Sequence, residues 1–95
     1  MLTLTITETR PNLDVEFYKV GRDFIDYIQK YNDIRHRTVY GYVTSGDLLT
    51  RTSSCTFDSQ IDVDTFTNDS EVQRITTINR VYNTANGIIG SQTVV

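Results

Sequence analysis

"DSQIDVDTFTNDSEVQRI", Asp58–Ile75, holds five of the chain's twelve acidic residues and separates β-type composition from helical composition. Its reading decides how the second half of the chain is built. As an EF-hand calcium loop starting at Asp62, it puts Asp64 third. Phe66 then falls fifth, Thr67 stands where glycine is needed, and Gln73 stands where a bidentate glutamate must close the site. As two helix starts it fits better. Ser59 and Asp62 form a variant capping box, and Thr67, Asn68, Asp69 or Ser70 can cap a second start with Glu71 and Gln73 in its first turn. Carboxylates near a helix N-terminus contribute about 0.3–1 kcal/mol each. On this reading Ile61, Val63 and Phe66 pack toward the core.

Upstream, "RTVYGYVTSGDLLTRTSSCTF" (Arg37–Phe57) is β-type. Val39, Gly41 and Val43 point one way and Tyr40, Tyr42 and Thr44 the other, "SGD" at Ser45–Asp47 is a turn, and Leu48–Phe57 is the antiparallel partner. Downstream, Val72, Ile75, Ile78 or Asn79, and Tyr82 form a helical stripe with Val81 at its edge. "NTANG" (Asn83–Gly87) stops it, Gly87 being placed for a left-handed conformation, and "IIGSQTVV" is a last strand.

At the other end of the chain, Leu2, Leu4 and Ile6 alternate with Thr3, Thr5 and Thr7 as in a strand with one buried face, which "RPN" (Arg10–Asn12) ends. From Asp14 the period lengthens: Phe17, Val20, Phe24, Tyr27, Ile28 and Tyr31 predict a helix running to about Asn32, capped by Asn12 or Asp14, with Gly21 marking close packing against a sheet. The order strand, helix, strand, strand, helix, strand predicts one α+β domain over 1–95. With right-handed crossovers it is the ferredoxin-like βαββαβ arrangement, a four-stranded antiparallel sheet with two helices on one face.

The bulk properties narrow the function. A net charge of −3 and a pI near 4.9 provide no basic face for duplex nucleic acid. Cys55 is the single cysteine, so no internal disulfide forms, no zinc cluster is available, and a reducing, cytoplasmic setting is expected. "MLTLTITETRPN" does not read as a signal peptide, and no apolar run approaches the roughly 18 residues that cross a bilayer, so a soluble chain without a membrane partner is expected. A chain of 95 residues buries only about 60–65% of its unfolded surface, and a partner chain would add to its stability.

The element order at this length resembles the dimeric α+β barrel proteins, among them antibiotic-biosynthesis-type monooxygenases and haem-degrading relatives. "FDSQIDVDTFTNDSEV" (Phe57–Val72) is similar to their passage from the third strand into a broken second helical region. The resemblance implies two subunits packed sheet against sheet, with a pocket between sheet and helices. It does not extend to a cofactor. The haem-degrading members typically use a histidine ligand with an asparagine and a tryptophan, whereas this chain has no Trp and its one histidine, His36, lies between Arg35 and Arg37 near a strand entrance. The Thr-, Asn-, Asp- and Tyr-rich composition also resembles small accessory proteins of tailed bacteriophages, which would place the chain in a host cytoplasm.

Few residues point to chemistry. His36 has no Ser or Cys nucleophile to serve, and its flanking arginines favour the neutral imidazole; Arg35, His36 and Arg37 together form a possible anion site. Cys55 shares a strand phase with Leu49, Arg51, Ser53 and Phe57 and reads as a small buried apolar residue. Tyr40, Tyr42 and Arg51 mark a possible interface or pocket on the hairpin. "VYGYV" matches part of the RNA-recognition signature, which raises single-stranded RNA as a ligand. No "GxxxxGK" or "GxGxxG" pattern is present. The expectation is a non-catalytic, homo-oligomeric accessory or assembly protein without cofactor or metal, dimerising through the open face of its sheet. The alternatives are a small-molecule-binding or cofactor-independent monooxygenase-like barrel, and RNA binding by the hairpin face.

Overall fold

The computed structural model describes residues 1–29, 36–37 and 42–95, with the backbone alone at 36, 37 and 42. Its elements are β1 (Leu2–Thr9), α1 (Arg22–Ile28), β2 (His36–Arg37), β3 (Tyr42–Thr44), β4 (Thr50–Phe57), α2 (Gln60–Thr67), α3 (Ser70–Asn86) and β5 (Ile89–Val94). They form a small α+β domain around one antiparallel sheet. β1 lies between β4 and β5, while β2 and β3 both pair with the far side of β4, β2 at Phe57 and Thr56 and β3 at Ser53 to Arg51. β2 and β3 therefore share one edge position, and the sheet has four positions in the order β2/β3, β4, β1, β5.

The register follows from the alternation in β1. Leu2, Leu4, Ile6 and Glu8 stand opposite Phe57, Cys55, Ser53 and Arg51 of β4, and this phase faces the helices. Leu4 and Phe57 join Phe24, Ile28, Val63, Phe66, Val72 and Ile75 in the core, where the Phe57 and Phe66 rings meet at 5.3 Å. The opposite phase carries Thr3, Thr5, Thr7 and Thr9, Thr50, Thr52, Ser54 and Thr56, and from β5 Ser91 and Thr93. Among the described residues the face away from the helices is thus lined with hydroxyls, with Val43, Ile89 and Val95 at its margins, and not with the apolar side chains that dimerisation through that face would bring into contact. Threonine accounts for the difference, because its branched Cβ favours strand while its hydroxyl tolerates water.

The acidic stretch is two helix starts. Ser59 caps α2, its Oγ accepting from the Asp62 N–H at 3.4 Å, and Asp69 caps α3, its carboxylate accepting from the N–H groups of Glu71 and Val72. Asp69 also accepts the Tyr27 hydroxyl at 2.9 Å, which ties α3 to α1. Gly87 ends α3 at φ 70°, in the left-handed region, with its N–H and that of Ile88 both donating to the Asn83 carbonyl. Val63 and Phe66 are buried as expected, but Ile61 is 72% exposed. Along α3 the inward line runs through Val72, Ile75 and Asn83, leaving Ile78 and Val81 in solvent.

The largest departure from the sequence reading lies before α1. Helix was expected from Asp14, yet α1 begins at Arg22. The carbonyls that a helix would use are taken by side chains: Val15 accepts from Arg10, Glu16 from the Tyr82 hydroxyl and Tyr18 from Arg51. The guanidinium carbons of Arg10 and Arg51 each lie 4.8 Å from the centre of the Phe17 ring, so this apolar side chain is held by cations where a sheet-facing helix was expected. Asn12 accepts from the Asp14 N–H in a turn, and Gly21 is the extended N-cap of α1 with open space where a Cβ would stand, so it does not mark close packing. The expected helix end near Asn32 lies outside the described residues.

Candidate functional site

Glu8 is the fourth residue of the buried phase of β1, after three aliphatic ones, and the register places Arg51 directly opposite it. Glu8 is 2% exposed and Arg51 6%. One carboxylate oxygen of Glu8 accepts from Arg51 Nη2 at 2.5 Å and Nε at 3.2 Å, and the other accepts from Asn83 Nδ2 at 2.7 Å and Asn79 Nδ2 at 3.1 Å. Arg51 also donates Nη1 to the Tyr18 carbonyl at 2.8 Å. Burial alone would raise the Glu8 pKa, but the Arg51 guanidinium and the two amides outweigh it and hold the carboxyl below its ordinary range. Glu8 is therefore an ionised, fully partnered carboxylate in the domain interior.

A cleft of about 520 Å³ adjoins this cluster, between the helix side of the sheet and α3. Leu4 and Glu8 are buried, yet Ile6 between them on the central strand is only half-buried, as is Ser53 opposite it. The helix layer leaves the middle of its own sheet face uncovered. Leu4, Phe24, Phe66, Val72 and Ile75 provide apolar walls, Cys55 is in the floor, and Arg51, Asn79 and Asn83 stand at the Glu8 end. Thr76, Arg80 and Gln92 edge the opening and also border an adjoining hollow of about 370 Å³. Cys55 is half-buried, and desolvation pushes its thiol up to about 11, so it is protonated at neutral pH and acts as part of the wall.

Chemically, the arrangement can hold an apolar body and orient it with a few polar groups. The Oδ1 atoms of Asn79 and Asn83 are buried and accept no hydrogen bond among the described residues, an unusual condition for buried amides. No group of three or more His, Cys, Asp or Glu that could hold a metal occurs among the described residues, and none of their helices is long and apolar enough to cross a membrane.

Of the residues singled out from sequence, Arg51 is in this cleft. Tyr40 and Arg35 lie outside the described residues. His36 and Arg37 belong to β2, and Tyr42 begins β3 opposite Ser53, by backbone alone. Glu8, Asn79, Asn83 and Arg80 were not anticipated. Glu8 and Arg51 did carry a signal, since each is a charge on the buried phase of a strand, and such a charge needs a partner. Asn83 read as part of a helix stop, and nothing in the sequence marked it as inward-facing. No protein-family model, curated protein or solved structure matches this chain.

Proposed function

We propose that this chain is a small-molecule-binding α+β domain whose ligand lies in the cleft between its sheet and α3. One observation carries the reading: Ile6, at the centre of the helix-side face, is half-buried above a hollow of about 520 Å³, while the residues on either side of it in the same phase are sealed. Interiors are packed to crystal-like density, so a small domain seldom leaves such a gap in its own middle. Its volume falls within the roughly 300–1,000 Å³ typical of ligand pockets, and mostly apolar walls with few polar groups are the usual composition. A dimeric α+β barrel arrangement, with its pocket between sheet and helices, would suit the same reading. Counting β2 and β3 as one edge strand, the order β2/β3, β4, β1, β5 with antiparallel neighbours supports reading the domain as ferredoxin-like. Amide-detected NMR of the labelled chain against a fragment library tests it. Fragments should shift Ile6, Cys55, Ile75 and Asn79 together, and a library that moves none of them at millimolar concentration refutes the reading.

A second reading, self-assembly through the open sheet face, is favoured by the apolar margins of that face. Val43, Ile89 and Val95 are each at least 74% exposed there, beside the methyl groups of the threonine rows. Light scattering on a size-exclusion column tests it. A dimer that Thr5→Lys dissociates supports this surface, and a monomer at micromolar concentration refutes it.

A further inference from the structure

Building on the reading of the cleft as a ligand site, we infer that its ligand is a small amphipathic anion, an aryl or alkyl carboxylate, with its apolar body over Ile6 and its charged head on Arg80 at the rim. The charges inside the cleft are already spent. Both oxygens of Glu8 are taken by Arg51, Asn79 and Asn83, and the Arg51 guanidinium is committed to Glu8, the Tyr18 carbonyl and the face of Phe17. A cationic ligand finds no open counter-charge there. Arg80 differs: it is exposed, borders both hollows, and has neither ion pair nor hydrogen bond among the described residues.

The surroundings reinforce the sign. No Asp or Glu follows Glu71 in the chain, so the rim built from α3 and β5 carries no acid beyond the start of α3, and Glu71 itself is bound to Arg74. A chain of net charge −3 thus presents a local positive pole at the mouth of its apolar cleft. Thr76, one turn before Arg80 on α3, and Gln92 on β5 add O–H and N–H donors beside it, the complement of a carboxylate whose tail needs burial.

The test uses two fluorescent probes of nearly the same shape, anionic 1-anilinonaphthalene-8-sulfonate and neutral N-phenyl-1-naphthylamine, on the whole chain. Both should brighten on binding, with octanoate displacing the anionic probe. Arg80→Gln should weaken the anionic probe about fivefold, the upper end for an exposed charge pair, and leave the neutral probe within about 1.5-fold of its original affinity. Ile6→Trp fills the floor and should abolish both signals. If that variant does not fold, Thr76→Trp at the exposed rim serves the same purpose. If both probes bind but Arg80→Gln affects neither or both equally, the anion assignment is overturned and the pocket reading stands. If neither probe binds the unaltered chain, or both survive the filling variants, the pocket reading fails and takes the assignment with it.

Discussion

Glu8→Gln is the most informative single change, because the structure fixes what it leaves behind. The Arg51 guanidinium stays at 7% side-chain exposure without a counter-charge, and a glutamine amide cannot accept from Arg51 and both asparagines at once. Removing one partner of a buried, hydrogen-bonded ion pair costs about 3–5 kcal/mol, and a domain of this length has roughly 5–14 kcal/mol in total. Glu8→Gln should therefore remove about a fifth or more of the stability measured by urea unfolding at pH 7. The pH dependence provides a second check. The folded-state pKa of Glu8 is depressed, so its contribution is fully present above the unfolded-state value and is lost as pH falls through the folded value. The gap between the unaltered chain and Glu8→Gln should be constant near neutrality and close in acid. A cost below about 1 kcal/mol, or a gap that widens in acid, would show that the pair is not held as described.

Cys55, with its thiol raised to about 11, should react with iodoacetamide at pH 8 about tenfold or more slower in the folded chain than in urea, where a free thiol has a pKa near 8.5. Its raised pKa also means that stability falls as pH rises from about 8.5 toward 11; equal alkylation rates in the two states would rule out the burial. Gly87→Ala must hold a Cβ at φ 70° and should cost about 1–2 kcal/mol in thermal unfolding, whereas Gly21→Ala, in extended backbone with free space around it, should cost less than about 0.5 kcal/mol. Asp69→Ala removes an N-cap and the acceptor of the Tyr27 hydroxyl and should cost about 2 kcal/mol or more. Combined with Tyr27→Phe it should show a non-additive term, which strict additivity in a double-mutant cycle would disprove.

What the sequence disclosed depended on the range of the interaction. Alternation in Leu2–Thr9 gave the first strand and its buried phase, and the Ser59 cap and a second cap within Thr67–Ser70 could be read because capping is settled within three residues. The start of α1 could not. Phe17 and Val20 sit at helical spacing, but the cations that engage Phe17 come from Arg10 and from Arg51, far along the chain. The hydroxyl-lined face was written in the Thr rows, which alternate with the buried phase along β1 and β4. The cleft had no sequence signature, because a void is a property of how whole elements sit against one another and belongs to no single residue.

The gap over Ile6 follows from how α3 is rotated about its axis. Val72 and Ile75 face the core near Leu4, and one to two turns later Asn79 and Asn83 are drawn to Glu8, which leaves Thr76 and Arg80 beside Ile6 and puts Ile78 and Val81 in solvent, Val81 at 65% exposure. A different rotation would bury those two β-branched side chains and fill the hollow, but it would strip Glu8 of two donors. The polar cluster thus acts as a spacer that keeps the cleft open, at the expense of apolar burial. Replacing it in one step, Glu8→Leu with Arg51→Met, Asn79→Leu and Asn83→Leu, removes the charges and both amides together with their need for partners, a kind of exchange that is often neutral or stabilising. The quadruple variant should unfold at a urea concentration no lower than the unaltered chain, while its cleft collapses and its affinity for N-phenyl-1-naphthylamine drops at least tenfold. Retained affinity in a stable quadruple variant would mean that the helix is oriented by its caps at Asp69 and Gly87 alone, and that Glu8 has no part in holding the cleft open.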